Sequence, residues 1–371
     1  MLYYPLYALL FADAGLSAAE ISSLLAVWSA TSLLLEIPSG AWADAYSRRW
    51  LLAAGAVLRA IGFAVWTMWP TYMGFALGFM LWGIRSATSS GTRQALLYDE
   101  LAAAGAHHLY VRVAGRATTV ALASMLLATA LAAPAYAVGG YLLVGAASVA
   151  VCLGSAIVAL SFPRAERVRR VDGGYVAHLR SGLLEARRDR RVRRALLLAA
   201  AVPGLASVDE YLPLLARALG APTVAVPLLF LLPVAAMAAA SWFADRWERA
   251  SPAAVGAVLG LAGVLVAAGA GAGHPAGMLA VAATLGILQF GTIVTEARLQ
   301  HTITGPSRAT VLSVSGFGAE VFAITVYAGL GAAASFSLGV TSLVALLGVP
   351  ILAVGLAAAR WLPTAAASVR S

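Results

Sequence analysis

Twelve apolar runs of helix-spanning or near-spanning length, set apart by short loops, dominate the 371-residue chain. They cover about 1–12, 20–43, 50–69, 71–92, 109–132, 136–161, 195–216, 222–243, 252–272, 276–295, 309–331 and 336–359. A helix needs about 20 apolar residues to cross a hydrocarbon core of about 30 Å, so most of these runs match one crossing each. Hydrophobic residues make up 61% of the chain and charged residues only 11%. Soluble domains are nearer 45–50% and about 25%. An ordinary soluble enzyme is excluded, and the fold expected is all-α and integral to a membrane, with twelve transmembrane helices in two six-helix bundles.

Charge placement sets the orientation. All 25 cationic residues are arginine, with no lysine. The segments 44–49, 93–116, 163–194, 245–250 and 297–308, with the tail from Arg360, hold 22 of them. Every alternate loop is therefore basic. Because cytoplasmic loops retain positive charge, both termini are expected in the cytoplasm of a multi-pass protein of the bacterial inner membrane. The net charge of +9 is thus a topology signal and not a nucleic-acid patch. The lack of lysine excludes a phosphate-binding G-x-x-x-x-G-K-[ST] loop and Schiff-base chemistry. Cys152 is the single cysteine, which excludes intrachain disulfides and cysteine-ligated metals. His107-His108 has no further ligands nearby in the sequence, and no metal or cofactor is expected.

The segment 163–194 carries 11 arginines and is the only long polar stretch. It divides the chain into an N-terminal bundle over 1–162, a basic cytoplasmic linker over 163–194 and a C-terminal bundle over 195–371. Within it Val176, Leu179, Leu183 and Leu184 recur at helical spacing beside Arg180, Arg187 and Arg188, as in an amphipathic helix on the membrane surface. The halves repeat one another. Trp42-Ala43-Asp44 followed by Arg48 matches Phe243-Ala244-Asp245 followed by Arg249, and Gly91-Thr92 matches Gly291-Thr292. The first run is short, about 18 Å at 1.5 Å per residue, which predicts either a start upstream of Met1 or a naturally shortened first helix.

These features resemble the major facilitator superfamily. The carrying segment is Glu36-Ile-Pro-Ser-Gly40-Ala-Trp-Ala-Asp44-Ala-Tyr-Ser-Arg48-Arg49, which looks like that family's loop between its second and third helices. Glu20-Ile21 and Ala95-Leu-Leu-Tyr98-Asp99 are similar to a bacterial drug-efflux branch. Ser47 stands where the loop usually has glycine, and Gly91 follows Arg85 by six residues where proton-coupled members have four. The resemblance implies that Gly40, Asp44, Arg48 and Arg49, with Asp245 and Arg249 in the second half, form a cytoplasmic gating motif. It implies further that Asp44 faces the start of the eleventh helix at Ser307-Arg308. A carboxylate there gains about 0.3–1 kcal/mol from the helix dipole, which would latch the cytoplasmic side shut.

Charges inside the spans point to function, because a charge at the centre of a helix costs about 2.5–3.5 kcal/mol on insertion scales. The candidate proton or substrate residues are Glu320, Glu210, Asp209, Arg85, Arg59 and Glu36. Glu36 and Arg85 lie at matching depth and are placed to pair. Arg59, near the midplane, is expected to meet an acid or to snorkel. Glu296 is expected to pair with Arg298 or Arg308. Trp66 and Trp69 read as an outer interfacial belt, and Tyr3, Tyr4 and Tyr7 as cavity lining or packing. Gly74/Gly78 and Gly256/Gly260 read as close-packing sites.

The expectation is a monomeric secondary transporter that exports a small hydrophobic or cationic compound in exchange for protons. It would have no catalytic residues, and its partners would be the substrate, protons and lipid. Uptake of a small organic anion on Arg59 and Arg85 is the alternative. A non-transporting membrane sensor or assembly partner working through 163–194 is the third.

Overall fold

The computed structural model describes residues 1–45, 47–89, 96–97, 100–101, 105–162, 189–244, 250–302 and 308–364. The described elements are helices and turns, as expected where lipid offers no partner for backbone amides and carbonyls. Nine helical stretches among the described residues are long and apolar enough to cross a membrane, and one of them, Arg112–Ser161, is long enough for two crossings. The chain divides into two compact units, Met1–Tyr175 and Val176–Ser371. The expected amphipathic helix lies outside the described residues.

The first unit holds the first six segments. The first is a short helix, Tyr7–Asp13, entered through turns. The second is Ala18–Ala45, the third Arg48–Met68 and the fourth Tyr72–Ser89. A reciprocal cap starts the second. The Ser17 amide and hydroxyl both donate to the Glu20 carboxylate at 2.8 Å, and the Glu20 amide returns a bond of 3.3 Å to the Ser17 hydroxyl. Glu20 therefore has a local structural role.

The fifth and sixth segments share one helical stretch, Tyr110–Ser161. The loop expected at 133–135 is absent. Pro134 sits inside the helix, and the chain reverses instead at Gly139 and Gly140. Proline in a transmembrane helix removes one donor without ending the helix. Gly140, by contrast, adopts φ 55° and ψ −151°, a conformation open essentially to glycine alone. Beside this turn the Tyr141 hydroxyl donates to the Asp13 carboxylate at 2.6 Å, tying the first segment to the sixth.

Rings fill the core of this unit. Tyr3, Tyr7 and Phe11 project from the first segment at four-residue spacing, onto Phe63 and Trp66 of the third and Phe75, Phe79 and Trp82 of the fourth. Across these contacts the ring centroids lie 4.0–6.2 Å apart in tilted and edge-on pairs, as aromatic quadrupoles prefer. Trp66 is 0% exposed, and its Nε1 donates to the Phe75 carbonyl at 3.1 Å. This corrects its assignment to an interfacial belt. Its neighbour Trp69 is 51% exposed. Proximity to the helix end placed both at the belt, but Trp66 is turned onto the face packed against the fourth segment. There a Cβ on Gly78 would collide with its indole.

The second unit holds the remaining six segments: Arg190–Ala218, Thr223–Phe243, Pro252–Ala270, Gly277–Thr302, Arg308–Ala334 and Val340–Trp361. Small residues set its contacts. A Cβ on Gly256 would meet the Gly355 carbonyl and the Ala359 methyl, so the ninth and twelfth segments touch nearly backbone to backbone. Val192, Ala195, Leu196 and Ala199 of the seventh segment cluster with Leu299, Val311 and Val314.

Candidate functional site

The intramembrane acids of the second unit owe their position to a break in the seventh segment. The α-helix Arg190–Leu205 gives way to a 3-10 turn, Ala206–Tyr211, before helix resumes at Leu212–Ala218. The cause is local. Pro213 has no amide hydrogen to offer the Asp209 carbonyl four residues back, and the Leu212 amide takes that carbonyl instead, tightening the turn. Pro203, inside the preceding helix, weakens the ladder from the other side. The tight turn carries Asp209 and Glu210 at its end.

The eleventh segment lies directly against this break. A Cβ on Gly204 would collide with Cβ of Phe322 and sit 2.9 Å from the Ala319 carbonyl, and one on Gly318 would lie 2.8 Å from the Ala200 methyl. Glycine at these points lets the two backbones approach. Glu320 is twelve residues past the start of the Arg308–Ala334 helix, about 18 Å along its axis. Tyr327 follows Glu320 by seven residues, on the same helical face.

Tyr327 is 3% exposed, Tyr211 is 0% and Glu210 is 6%. The two tyrosine rings lie 6.3 Å apart at 40°. The seventh-segment acids thus sit beside a tyrosine pair that joins the break to the eleventh segment, on the helical face that also carries Glu320, and sequence reasoning missed that pair. The signal was available in the spacing of Glu320 and Tyr327. What could not be read was which helix packs opposite them.

The other three candidates lie in the first unit. The Arg59 guanidinium rests 4.8 Å from the centre of the Trp82 ring, a cation–π contact near mid-helix. Trp82 in turn packs on Trp28, 5.4 Å away. Arg85 lies on the fourth segment with its stem across Gly55 of the third, and half-buried Glu36 lies on the second, which packs alongside the fourth. Gly40 and Asp44 fall in the last turns of the second segment, and half-buried Arg48 and Arg49 open the third. Asp245, Arg249 and Ser307 lie outside the described residues.

Of the two partners expected for Glu296, Arg298 is engaged by backbone carbonyls, and the side chain of Arg308 lies outside the described residues. Arg298 is buried, and its guanidinium donates to the carbonyls of Pro363 at 2.6 Å and Ala250 at 2.9 Å. Glu296, two residues earlier on the same helix, is exposed on a different face, as residues two apart must be. Among the described residues no group of three or more His, Cys, Asp or Glu is placed to hold a metal ion.

Twelve segments in two six-segment units, with most charges in the loops and only a few inside the spans, define a membrane transporter fold. The family model of the Major Facilitator Superfamily matches residues 1–317, and the chain belongs to that superfamily. Among solved structures it is similar to the nucleoside transporter NupG, with TM-score 0.67 and 13% identity over 94% of this chain and 91% of that one. The D-xylose-proton symporter gives TM-score 0.67 and 15% identity over 98% and 92%. A bacterial homologue of the human lysosomal transporter Spinster, solved inward-facing and unoccupied, gives 0.64 and 16% over 97% and 93%. At these identities the likeness is one of fold. No curated protein sequence matches the chain.

Proposed function

We propose that the protein is a proton-coupled secondary transporter that exports a small hydrophobic or cationic compound across the bacterial cytoplasmic membrane. The two units would alternate access to a midplane site. The observation that carries this reading is the placement of Asp209 and Glu210 on the 3-10 break of the seventh segment, where the adjoining Tyr211 packs on Tyr327 of the helix that carries Glu320. Carboxylates held in an apolar interior bind and release protons under small changes of surroundings. Movement of the seventh segment past the eleventh changes those surroundings, and the 3-10 break gives the seventh a natural hinge. A cationic substrate would compete with protons for the same carboxylates, which is the simplest form of exchange. Asp44, Arg48 and Arg49 would gate the cytoplasmic side.

Uptake of an organic anion is the second reading, favoured by the Arg59 guanidinium stacked on Trp82 inside the first unit. Proteoliposomes with an imposed pH gradient separate the two. Export requires cation efflux driven by an inward proton gradient. Anion uptake that depends on Arg59 and ignores the acids would replace it.

A further inference from the structure

A second cluster of charge lies at one end of the second unit, away from the acids. The first turn of the seventh segment presents Arg190, Arg191 and Arg193 exposed and Arg194 half-buried. Val192 between them is 3% exposed and turns inward with Ala195 and Leu196. The helix therefore anchors by one face and spreads its guanidinium groups over the other. Arg194 lies 5.8 Å from the ring of Trp361, the last residue of the twelfth segment, and exposed Arg360 stands beside it.

Two residues after Trp361, the Pro363 carbonyl accepts the 2.6 Å bond from buried Arg298, which also holds the Ala250 carbonyl. Among the described residues no carboxylate pairs with these five arginines. The nearby Asp189 uses its Oδ1 to accept the Arg191 backbone amide at 2.7 Å. Charge for topology alone would be served by arginines anywhere in the loop. Here Arg194 lies against an exposed tryptophan, Trp361, at the junction of two helix ends, and amphipathic rings of this kind meet lipid headgroups at the membrane interface.

We propose that this junction is a binding site for an anionic phospholipid headgroup, drawn from the leaflet that surrounds the arginine-rich end. The guanidinium forks of Arg190, Arg191 and Arg194, which share one face of the helix, match phosphate oxygens bidentately. Trp361 packs at glycerol depth, and the acyl chains run down the adjoining helices. Basic junctions between transmembrane helices recognise acidic headgroups by this combination of charge and interfacial aromatic contact.

Native mass spectrometry of the full detergent-solubilised chain, titrated with phosphatidylglycerol or phosphatidylcholine, tests the proposal. The unaltered protein is expected to retain phosphatidylglycerol about tenfold more tightly. The triple substitution R190Q, R191Q and R194Q abolishes that preference, while R112Q with R116Q, at exposed arginines of the fifth segment, leaves it intact. Arg194→Lys preserves charge and topology and lowers the preference about two- to threefold, through loss of the fork. Four outcomes overturn the site: equal retention of both lipids by the unaltered protein, equal loss in the R112Q/R116Q control, no effect of Arg194→Lys, or displacement of the lipid by millimolar inorganic phosphate.

Discussion

The first unit is built around aromatic rings and the second around small residues with one broken helix. In the first, Tyr7, Phe11, Trp66, Phe79 and Trp82 interlock across three segments, and each is 7% exposed or less. In the second, Gly204, Gly318, Gly256 and Gly355 bring backbones together. The acids sit where the seventh segment leaves regular helix. Interlocked rings make a body that resists internal rearrangement, since each carries a large contact area and a defined angle. Glycine-lined contacts beside a 3-10 turn leave a helix able to slide or re-tilt with little side-chain obstruction. Under the proposed function, the first unit would serve as the rigid body and the second would carry the proton-linked movement.

In the second unit the test of this contrast is Gly204→Leu. The new side chain has no room against Phe322 and the Ala319 carbonyl, and overpacking of this kind costs about 1–3 kcal/mol or more. Size-exclusion chromatography should show little monodisperse protein, and normal yield would mean that the seventh and eleventh segments do not need close approach. Trp66→Ala removes a fully buried ring and its hydrogen bond to Phe75. The expected loss is about 3–5 kcal/mol, read as a lower melting temperature in detergent, with any residual flux keeping its pH dependence. A changed pH profile would show that the aromatic body takes part in coupling.

Arg59→Lys is the smallest. The ammonium cannot reproduce planar stacking on Trp82, so about 0.5–2 kcal/mol is lost. Flux of a cationic substrate should be nearly unchanged. A large rise in apparent KM would favour the anion reading.

The sequence made the twelve segments legible because apolar length is a property of contiguous residues. Their ends were less so. Pro134 reads as a breaker, yet the reversal falls at Gly140, because a proline costs one hydrogen bond whereas a positive φ with extended ψ demands glycine. Glu210, Asp209 and Glu320 stood out individually as charges where lipid should exclude them. Their link through the Tyr211–Tyr327 ring pair depends on contact between helices more than a hundred residues apart, which no local pattern encodes. The aromatic core was half legible: Tyr3, Tyr7 and Phe11 recur every fourth residue, but the burial of Trp66 depends on which face meets the fourth segment. Arg298, counted among the topogenic charges, is a buried staple because two carbonyls from distant loops converge on it.

Flux through the doubly substituted protein tests the central claim most directly. Glu210→Gln with Glu320→Gln keeps size and hydrogen-bonding capacity while removing the titratable groups. In proteoliposomes with an imposed pH gradient, the account predicts that this variant folds with unchanged melting behaviour and loses gradient-driven accumulation entirely. Retained accumulation, still scaling with the gradient, would contradict it.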